Sequence, residues 1–508
     1  MAQIGTIVTT AETPPTNLNP YTTANAFMVG LSDWGPSGVS ATPLQSLNQF
    51  SAIYGAPNAG LVQSGRDASN AVLWDSADAF FREGGSNLYV SRVIGPGATQ
   101  GFLNLQDASG ATAATLTALY YGPGSSAINV GVQQLTGASN YTVTLYDNAG
   151  NVLAISPTLN QTNRADLIAW AATTNLVTAS AGTSTLRPVT IVAPYPNLST
   201  GQDGRVGATL SYWTTALNTF APLLGPGQVM VPGQTNTTLP GIWGALGNHA
   251  QANNRVALCD MDDGQTAAAL ITSLGNAAIS PGLQSYMAFW GGNLLLPGIV
   301  TGTTRTIPPS PVAAALCARV DSVNNPNLAA AGPTYPLNYV SGLSTTYTNP
   351  FTGDIANLNG AGINVFTSIY TVLQNYGFVS LVASPNVDSI YWQFNHSRLR
   401  MAISAAAQFT GQQYLFQEID GQGSIISQFN GDLQTMLLGY WRAGALYGNT
   451  ASQAFTVSTA SPINTPVTAA AGQLNAVLAV RMSAHAQLVQ ININAVPLTQ
   501  NLVPVATA

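Results

Sequence analysis

Three histidines, His249, His396 and His485, are the residues most open to acid–base or metal chemistry, and their spacing argues against both. A zinc site carried on a helix needs His-x-x-x-His or Glu-x-x-His, which bring two ligands to one face. None of the three stands in such an arrangement, so each reads as a structural histidine. Asp260-Met261-Asp262-Asp263-Gly264 opens like a calcium loop. Such a loop closes with a bidentate Glu at its twelfth position. Ile271 stands there, and the segment reads as a turn between a strand and a helix. Gly122-Pro123-Gly124-Ser125-Ser126 and Gly225-Pro226-Gly227 lack the Lys-Ser/Thr pair or the third glycine that a phosphate cradle needs. The chain contains no lysine, which removes Walker loops, Schiff bases and lysine bases together. No Gly-x-Ser-x-Gly elbow with a paired acid and histidine is present. Cys259 and Cys317, the only cysteines, read as two small buried hydrophobes. The expectation is a protein that is not an enzyme, with no catalytic residues, cofactor or metal.

The elements that such residues would stand on are nevertheless legible. Ala26 to Leu31 is an apolar strand running into a Gly/Pro turn. In 68–83, Leu73, Ala77, Phe80 and Phe81 recur at helical spacing, and Gly84-Gly85 ends the helix. Leu88 to Val93 is a strand, and the strand–helix–strand order predicts an α/β layer. Between 100 and 224 short alternating strands dominate, among them 141–147 with Asn148-Ala149-Gly150 as a hairpin signal. Helical pattern returns at 165–174. A second α/β stretch follows: a strand at Val229–Val231, a helix near 239–250, a strand at Val256–Cys259 and a helix at 266–277. Residues 291–360 read mostly as loops with short elements. Near the end, Leu433, Met436, Leu437, Tyr440 and Trp441 form a helical stripe, with Asp432 in the first turn and Gly448 as the stop.

Both ends alternate in the manner of strands. Ile4 to Thr10 interleaves Ile and Val with Thr, and Pro14, Pro15 and Pro20 follow as a stiff tether. In 488–496, Val489, Ile491 and Ile493 share one face, and Gln490, Asn492 and Asn494 the other. The expected division is an arm and linker (1–22), the N-terminal part of a core domain (23–99), an inserted β-rich domain (100–224), a middle α/β part (225–385), a C-terminal core part (386–488) and a C-terminal strand and arm (489–508).

Charge is the unusual part of the composition. Only 6% of residues are Asp, Glu, Lys or Arg, against about 25% in an average soluble domain. All thirteen basic residues are arginines, and Glu12, Glu83 and Glu418 are the only glutamates. Surface charge normally keeps monomers apart, so a chain this poor in it is expected to hide much of its surface in an assembly. Scattered arginines and a net charge of −6 speak against nucleic-acid binding. No apolar run reaches the roughly 18 residues of a membrane span, and the N-terminus lacks the features of a signal peptide, so assembly in a cytoplasm is expected.

The order of short motifs resembles the contractile bacteriophage tail sheath family. The resemblance begins at Phe27-Met28-Val29-Gly30-Leu31-Ser32-Asp33-Trp34-Gly35-Pro36 and continues through Pro43-Leu44-Gln45-Ser46-Leu47 to Tyr54-Gly55. Its most specific part is Phe80-Phe81-Arg82-Glu83-Gly84-Gly85 before Leu88-Tyr89-Val90-Ser91-Arg92-Val93. Ile128-Asn129-Val130-Gly131-Val132, Val231-Pro232-Gly233, Pro308-Pro309-Ser310 with Ala313 to Asp321, Gly362-Ile363-Asn364 and Gly444-Ala445-Leu446-Tyr447-Gly448 extend it over most of the chain. Two departures stand out: Ile4-Gly5-Thr6-Ile7 replaces a Pro-Gly-Val-Tyr, and Ser404-Ala405-Ala406-Ala407 replaces a charged stretch.

The resemblance implies a mixed α+β protein, an α/β core with a β-rich insertion and extended arms. It implies a structural subunit that polymerises as stacked hexameric rings around a tail tube and contracts to drive the tube through the host envelope. Partners would be further copies of the chain, the tube protein, and baseplate and tail terminator proteins, in a virion tail built in the host cytoplasm, with no nucleic acid bound and no membrane insertion. The sheath of a bacteriocin or an extracellular injection device is the second reading, and a surface-layer or capsid protein a more distant one. The residues expected to add as strands to neighbouring subunits are Ile4, Thr6, Ile7 and Val8 at one end and Val489, Ile491 and Ile493 at the other.

Overall fold

The computed structural model describes residues 22–39, 42–55, 68–137, 139–299, 301–323, 325–348, 353–382, 389–487 and 489. Strand β1 (Asn25–Gly30) leads to helices α1 (Leu47–Tyr54) and α2 (Ala68–Arg82) and to β2 (Asn87–Arg92). The glycine pair ends α2 as its backbone requires: Gly84 takes φ +100°, and the Gly85 N–H donates to the Phe80 carbonyl at 2.9 Å. A β-rich stretch follows: β3 (Phe102–Gln106), β4 (Thr112–Ala118), β5 (Asn129–Gln134), β6 (Asn140–Tyr146), β7 (Val152–Ile155), β8 (Leu159–Asn160), α3 (Arg164–Thr173) and β9 (Val177–Ala181). Next come α4 (Leu210–Asn218), β10 (Gln228–Met230), α5 (Ile242–Ala252), β11 (Val256–Asp260), α6 (Ala267–Asn276), α7 (Pro281–Gln284), β12 (Met287–Gly291), β13 (Leu294–Pro297) and β14 (Thr304–Ile307). The region read mostly as loops holds the helix that the resemblance placed at Ala313 to Asp321, as α8 (Ser310–Val323), before β15 (Gly342–Leu343), α9 (Asp354–Gly360), β16 (Ile363–Ile369) and β17 (Val372–Tyr376). A C-terminal lobe closes the chain with α10 (Phe394–Gln412), α11 (Ser424–Arg442), α12 (Ala451–Ala454), β18 (Phe455–Ser458), α13 (Pro466–Ala470) and β19 (Val477–Val480).

Seven strands form the central sheet in the order β17-β16-β12-β11-β10-β1-β2. All neighbours run parallel except β17, which returns antiparallel from β16 at one edge. Parallel strands are buried on both faces, which is why they read as continuous apolar runs. In β1, Ala26 and Met28 face a core shared with Leu73 and Phe80 of α2, Leu316 of α8 and Met401 of α10. Phe27 and Val29 face the opposite core, with Trp213 of α4, Trp243 of α5, Leu270 of α6 and Leu358 of α9. Cys317 lies in the first core and Cys259 in the second, so the sheet separates them. Together with the antiparallel sheets elsewhere, this three-layer body makes the protein mixed α+β.

A third core, around Leu105, Leu116, Val130, Val143 and Trp170, fills the β-rich stretch. Buried charge ties it to the body. The Arg92 guanidinium donates to the carbonyls of Ser32, Gly35 and Tyr121, while Arg205 bridges the Asp33 and Asp203 carboxylates. Removing one partner of such a desolvated group typically costs about 3–5 kcal/mol, because the other is left buried and uncompensated.

The lobe corrects two sequence readings. The stripe at 433–441 is the second half of α11, which begins at Ser424, so Asp432 is not in the first turn. Gly431 lies inside the helix, and Asp432 accepts the Tyr414 hydroxyl. The stop is Gly444 at φ +78° rather than Gly448, with the Ala445 N–H closing back on the Tyr440 carbonyl at 3.0 Å.

Candidate functional site

In an open doubly wound sheet, ligands sit outside the carboxyl ends of the strands where the order reverses. Here that point lies between β1 and β10. It holds a cavity of about 90 Å³ lined by Gly30, Leu73, Trp213 and Pro232, among other mainly apolar residues. The acids beside it serve the fold. Asp260 accepts the Gly233 N–H at 3.0 Å and both the N–H and hydroxyl of Ser310 at the start of α8. Burial pushes its carboxyl up to about 6, against the pull of those hydrogen bonds. Asp262 accepts the hydroxyls of Thr235 and Thr237, and Asp263 takes Asn293, Ser344 and Thr345. The segment with the opening of a calcium loop is thus a turn that stitches neighbouring loops. Among the described residues no three His, Cys, Asp or Glu side chains group as a metal site.

His249 and His396 are likewise held by hydrogen bonds. His249 accepts from Arg255 at 2.9 Å through Nε2, and burial, then the Arg255 charge, hold its pKa down to about 4. Burial and His396 do the same to His485. The thiols are pushed up by burial, Cys317 to about 12.

A denser polar construction stands at the start of α10. Asn395, His396, Ser397 and Arg398 follow one another and all four are buried. Arg398 pairs with Asp321 of α8 at 2.5 Å and donates to the Cys317 carbonyl. Burial pushes the Asp321 carboxyl up and Arg398 opposes it. Asp321 also accepts the hydroxyl of Thr23, two residues before β1. From the other end of the chain, the Ser483 carbonyl receives Asn327 Nδ2 at 2.7 Å and faces His396 Nε2 at 3.1 Å. Gln393 grips the His485 backbone with both arms of its amide, at 3.0 and 3.1 Å, in place of a strand partner. One helix start therefore anchors the chain at 23 and at 483–485. These anchoring residues were not found from sequence, since a run of Asn, His, Ser and Arg reads there as solvated surface.

Close by, β18 and β19 pair as a two-stranded antiparallel sheet. Phe455, Val457, Leu478 and Val480 turn inward to α11, while Thr456, Ser458, Val477 and Ala479 face out. Its two edges differ. The Arg481 N–H donates to Ala454 O, which makes Phe455–Val480 and Val457–Leu478 the non-hydrogen-bonded pairs, whose backbone groups point away from the partner strand. On the β18 side these groups are engaged: the Phe455 N–H closes on Ala451, and Asn430 donates to Val457 O. On the β19 side the N–H and C=O groups of Leu478 and Val480 have no backbone partner among the described residues.

Of the residues expected to add as strands, Ile4, Thr6, Ile7, Val8, Ile491 and Ile493 lie outside the described residues. Val489 is described; it is exposed and in no regular element. What the structure brings together is the ground they start from: Thr23, Ser483 and His485 on one polar hub, beside an open-edged sheet.

No protein-family model matches the chain, and no curated protein matches it in sequence. Solved structures do match over nearly its full length. The sheath tail protein of Desulfitobacterium hafniense shares 14% identity over 90% of this chain and 93% of its own, with a TM-score of 0.58. The sheath tail protein Lin1278 of Listeria innocua shares 11% over 87% and 91%, also at 0.58. A chain of the contracted helical sheath of the anti-feeding prophage shares 15% over 97% and 99%, at 0.54. The fold is the one these sheath proteins have.

Proposed function

We propose that this chain is a structural subunit of a contractile sheath, polymerising as hexameric rings stacked around a tube and shortening to drive that tube through an envelope. The observation that carries the reading is the sheath fold combined with a sheet open at β19 beside the common root of both chain ends. An unpaired edge is a template for another chain, and strand addition gives affinity through main-chain hydrogen bonds and register through alternating side chains. Ile4, Thr6, Ile7 and Val8, and Val489, Ile491 and Ile493, supply that alternation. A seven-residue arm spans about 23 Å and adds about five hydrogen bonds at a net of roughly 1 kcal/mol each. Such a contact is modest singly and large when repeated along a polymer.

In this reading residues 1–22 and 489–508 are arms, 23–99 and 386–488 are parts of the core, 225–385 is its middle, and 100–224 is an insertion on the outer surface. The protein does no chemistry of its own; contraction draws on a metastable assembled state. Partners are further copies, the tube protein, and baseplate and terminator proteins, with the tail assembled in a host cytoplasm. A phage tail is the first assignment. The sheath of an injection device is the second, favoured by the likeness to the anti-feeding prophage chain. Deletion of residues 1–12 tests strand addition. The shortened chain is expected to stay folded and soluble and to form no sleeves in negative stain; sleeves of normal length and stability would end the account.

A further inference from the structure

The C-terminal lobe carries two complementary patches at opposite ends of α11. The first is the turn joining α10 to α11. Phe416 is 104% exposed and holds φ +64°, a left-handed conformation that is a clear outlier for a bulky residue and is found where function requires it. Leu415 beside it is exposed too. Glu418, two residues on, is exposed and has no hydrogen-bond or ion-pair partner among the described residues. The second patch lies beyond the other end of α11, which is about 28 Å long over its nineteen residues. There the side chains of Arg442 and Arg481 are exposed, and they are the only arginines among those described with no hydrogen bond, ion pair or aromatic face to hold them. Tyr447, five residues beyond Arg442, is 70% exposed, and its N–H donates to Arg481 O at 2.8 Å.

We infer that the α10–α11 turn of one copy docks on the Arg442–Tyr447–Arg481 face of the next copy. The inference rests on the self-assembly reading above and names a second contact of the same lobe. The charges are complementary, with a free carboxylate on one patch and two free guanidiniums on the other. Each patch also carries an exposed ring to cover. Two patches about 28 Å apart on one helix cannot meet within a chain. Their contact is therefore heterologous, head to tail, the type that builds rings or helical polymers rather than closed dimers. The second patch is continuous with the open edge of β19, since Arg481 follows that strand directly. A strand added there and a turn docked beside it would belong to one interface.

A charge swap in the full-length chain tests this. Glu418→Arg alone, and Arg442→Glu with Arg481→Glu, should each raise the protein concentration needed for sleeve formation by about tenfold or more, since like charges now face each other. All three changes together should restore assembly. Phe416→Ser should weaken assembly without lowering the melting temperature. Normal assembly by Glu418→Arg, or no recovery in the folded triple variant, would overturn the contact. So would Phe416→Ser sleeves that form normally but no longer hold a tube, which would assign the turn to the tube. Strand addition fails separately, on deletion of residues 1–12, and recovery by charge swap does not depend on that deletion.

Discussion

The seven-stranded body and the C-terminal lobe treat polar groups in opposite ways. In the body, and at the start of α10 that packs on it, the described arginines all have partners. Arg92, Arg255 and Arg305 are buried against carbonyls or carboxylates, and the edge strand β17 is covered by backbone contacts from 332 and 337. In the lobe beyond that start, among the described residues, a sheet edge is left open, two arginines and a glutamate have no partner, and a phenylalanine stands in water on strained backbone. The same chain thus pairs its described arginines in one region and leaves two of them without partners in another. A surface that is costly alone is what an assembling subunit keeps for its neighbours.

The largest expected contrast comes from Val480→Pro. At a non-hydrogen-bonded position the N–H of Val480 points outward, so proline spares the β18–β19 ladder and removes a donor from the free edge. Sleeve formation should be lost in electron micrographs while the melting temperature stays near that of the parent. Next in size, Asp321→Ala strands the buried Arg398 and should cost about 3–5 kcal/mol in denaturant unfolding. Arg442→Ala, in the lobe, should stay within about 0.5 kcal/mol. Equal losses at both sites would erase the distinction between the regions.

A smaller effect should depend on pH. Asp260 is raised to about 6 in the folded chain, so the folded state binds its proton more tightly than the unfolded state does. Its contribution is full below the unfolded carboxylate pKa of about 3.9 and is lost as pH rises through 6. The stability of the parent relative to Asp260→Asn should therefore rise on going from pH 7.5 to pH 4, by on the order of 3 kcal/mol. A small gain should come from Gly431→Ala on the exposed side of α11, where an added Cβ meets nothing within 4 Å. It should stabilise the lobe by about 0.5–1 kcal/mol and leave assembly untouched.

The legible parts of the fold were those where one local rule acts alone. Continuous apolar runs gave β1, β2 and β11, and the Gly84-Gly85 pair marked the end of α2 because only glycine takes its backbone angle comfortably. The β-rich texture after residue 100 followed from alternation. The misread parts were those where tertiary context overrides a local rule. The stripe from Leu433 reads as a whole helix with Asp432 in its first turn, yet α11 begins at Ser424 because Ile425 and Phe429 are buried on the same helix. Asn395 to Arg398 at the start of α10 are polar and still buried, because Asp321, Asn327 and the Ser483 carbonyl meet them from distant parts of the chain. No window of sequence holds all of those partners. Of the candidate site, the hub near the two end segments was not legible from sequence, nor was which edge of which sheet stands open.

The free edge of β19 also sets a unit of length. Its outward groups belong to every second residue, Leu478 and then Val480, so successive docking points lie about 6.8 Å apart along the strand. A strand seated there that slips by one residue turns every side chain to the wrong face, whereas a slip of two restores both hydrogen bonds and facing. Under load such a joint behaves as a toothed rail: it holds, or it jumps by a whole tooth, and has no stable position between.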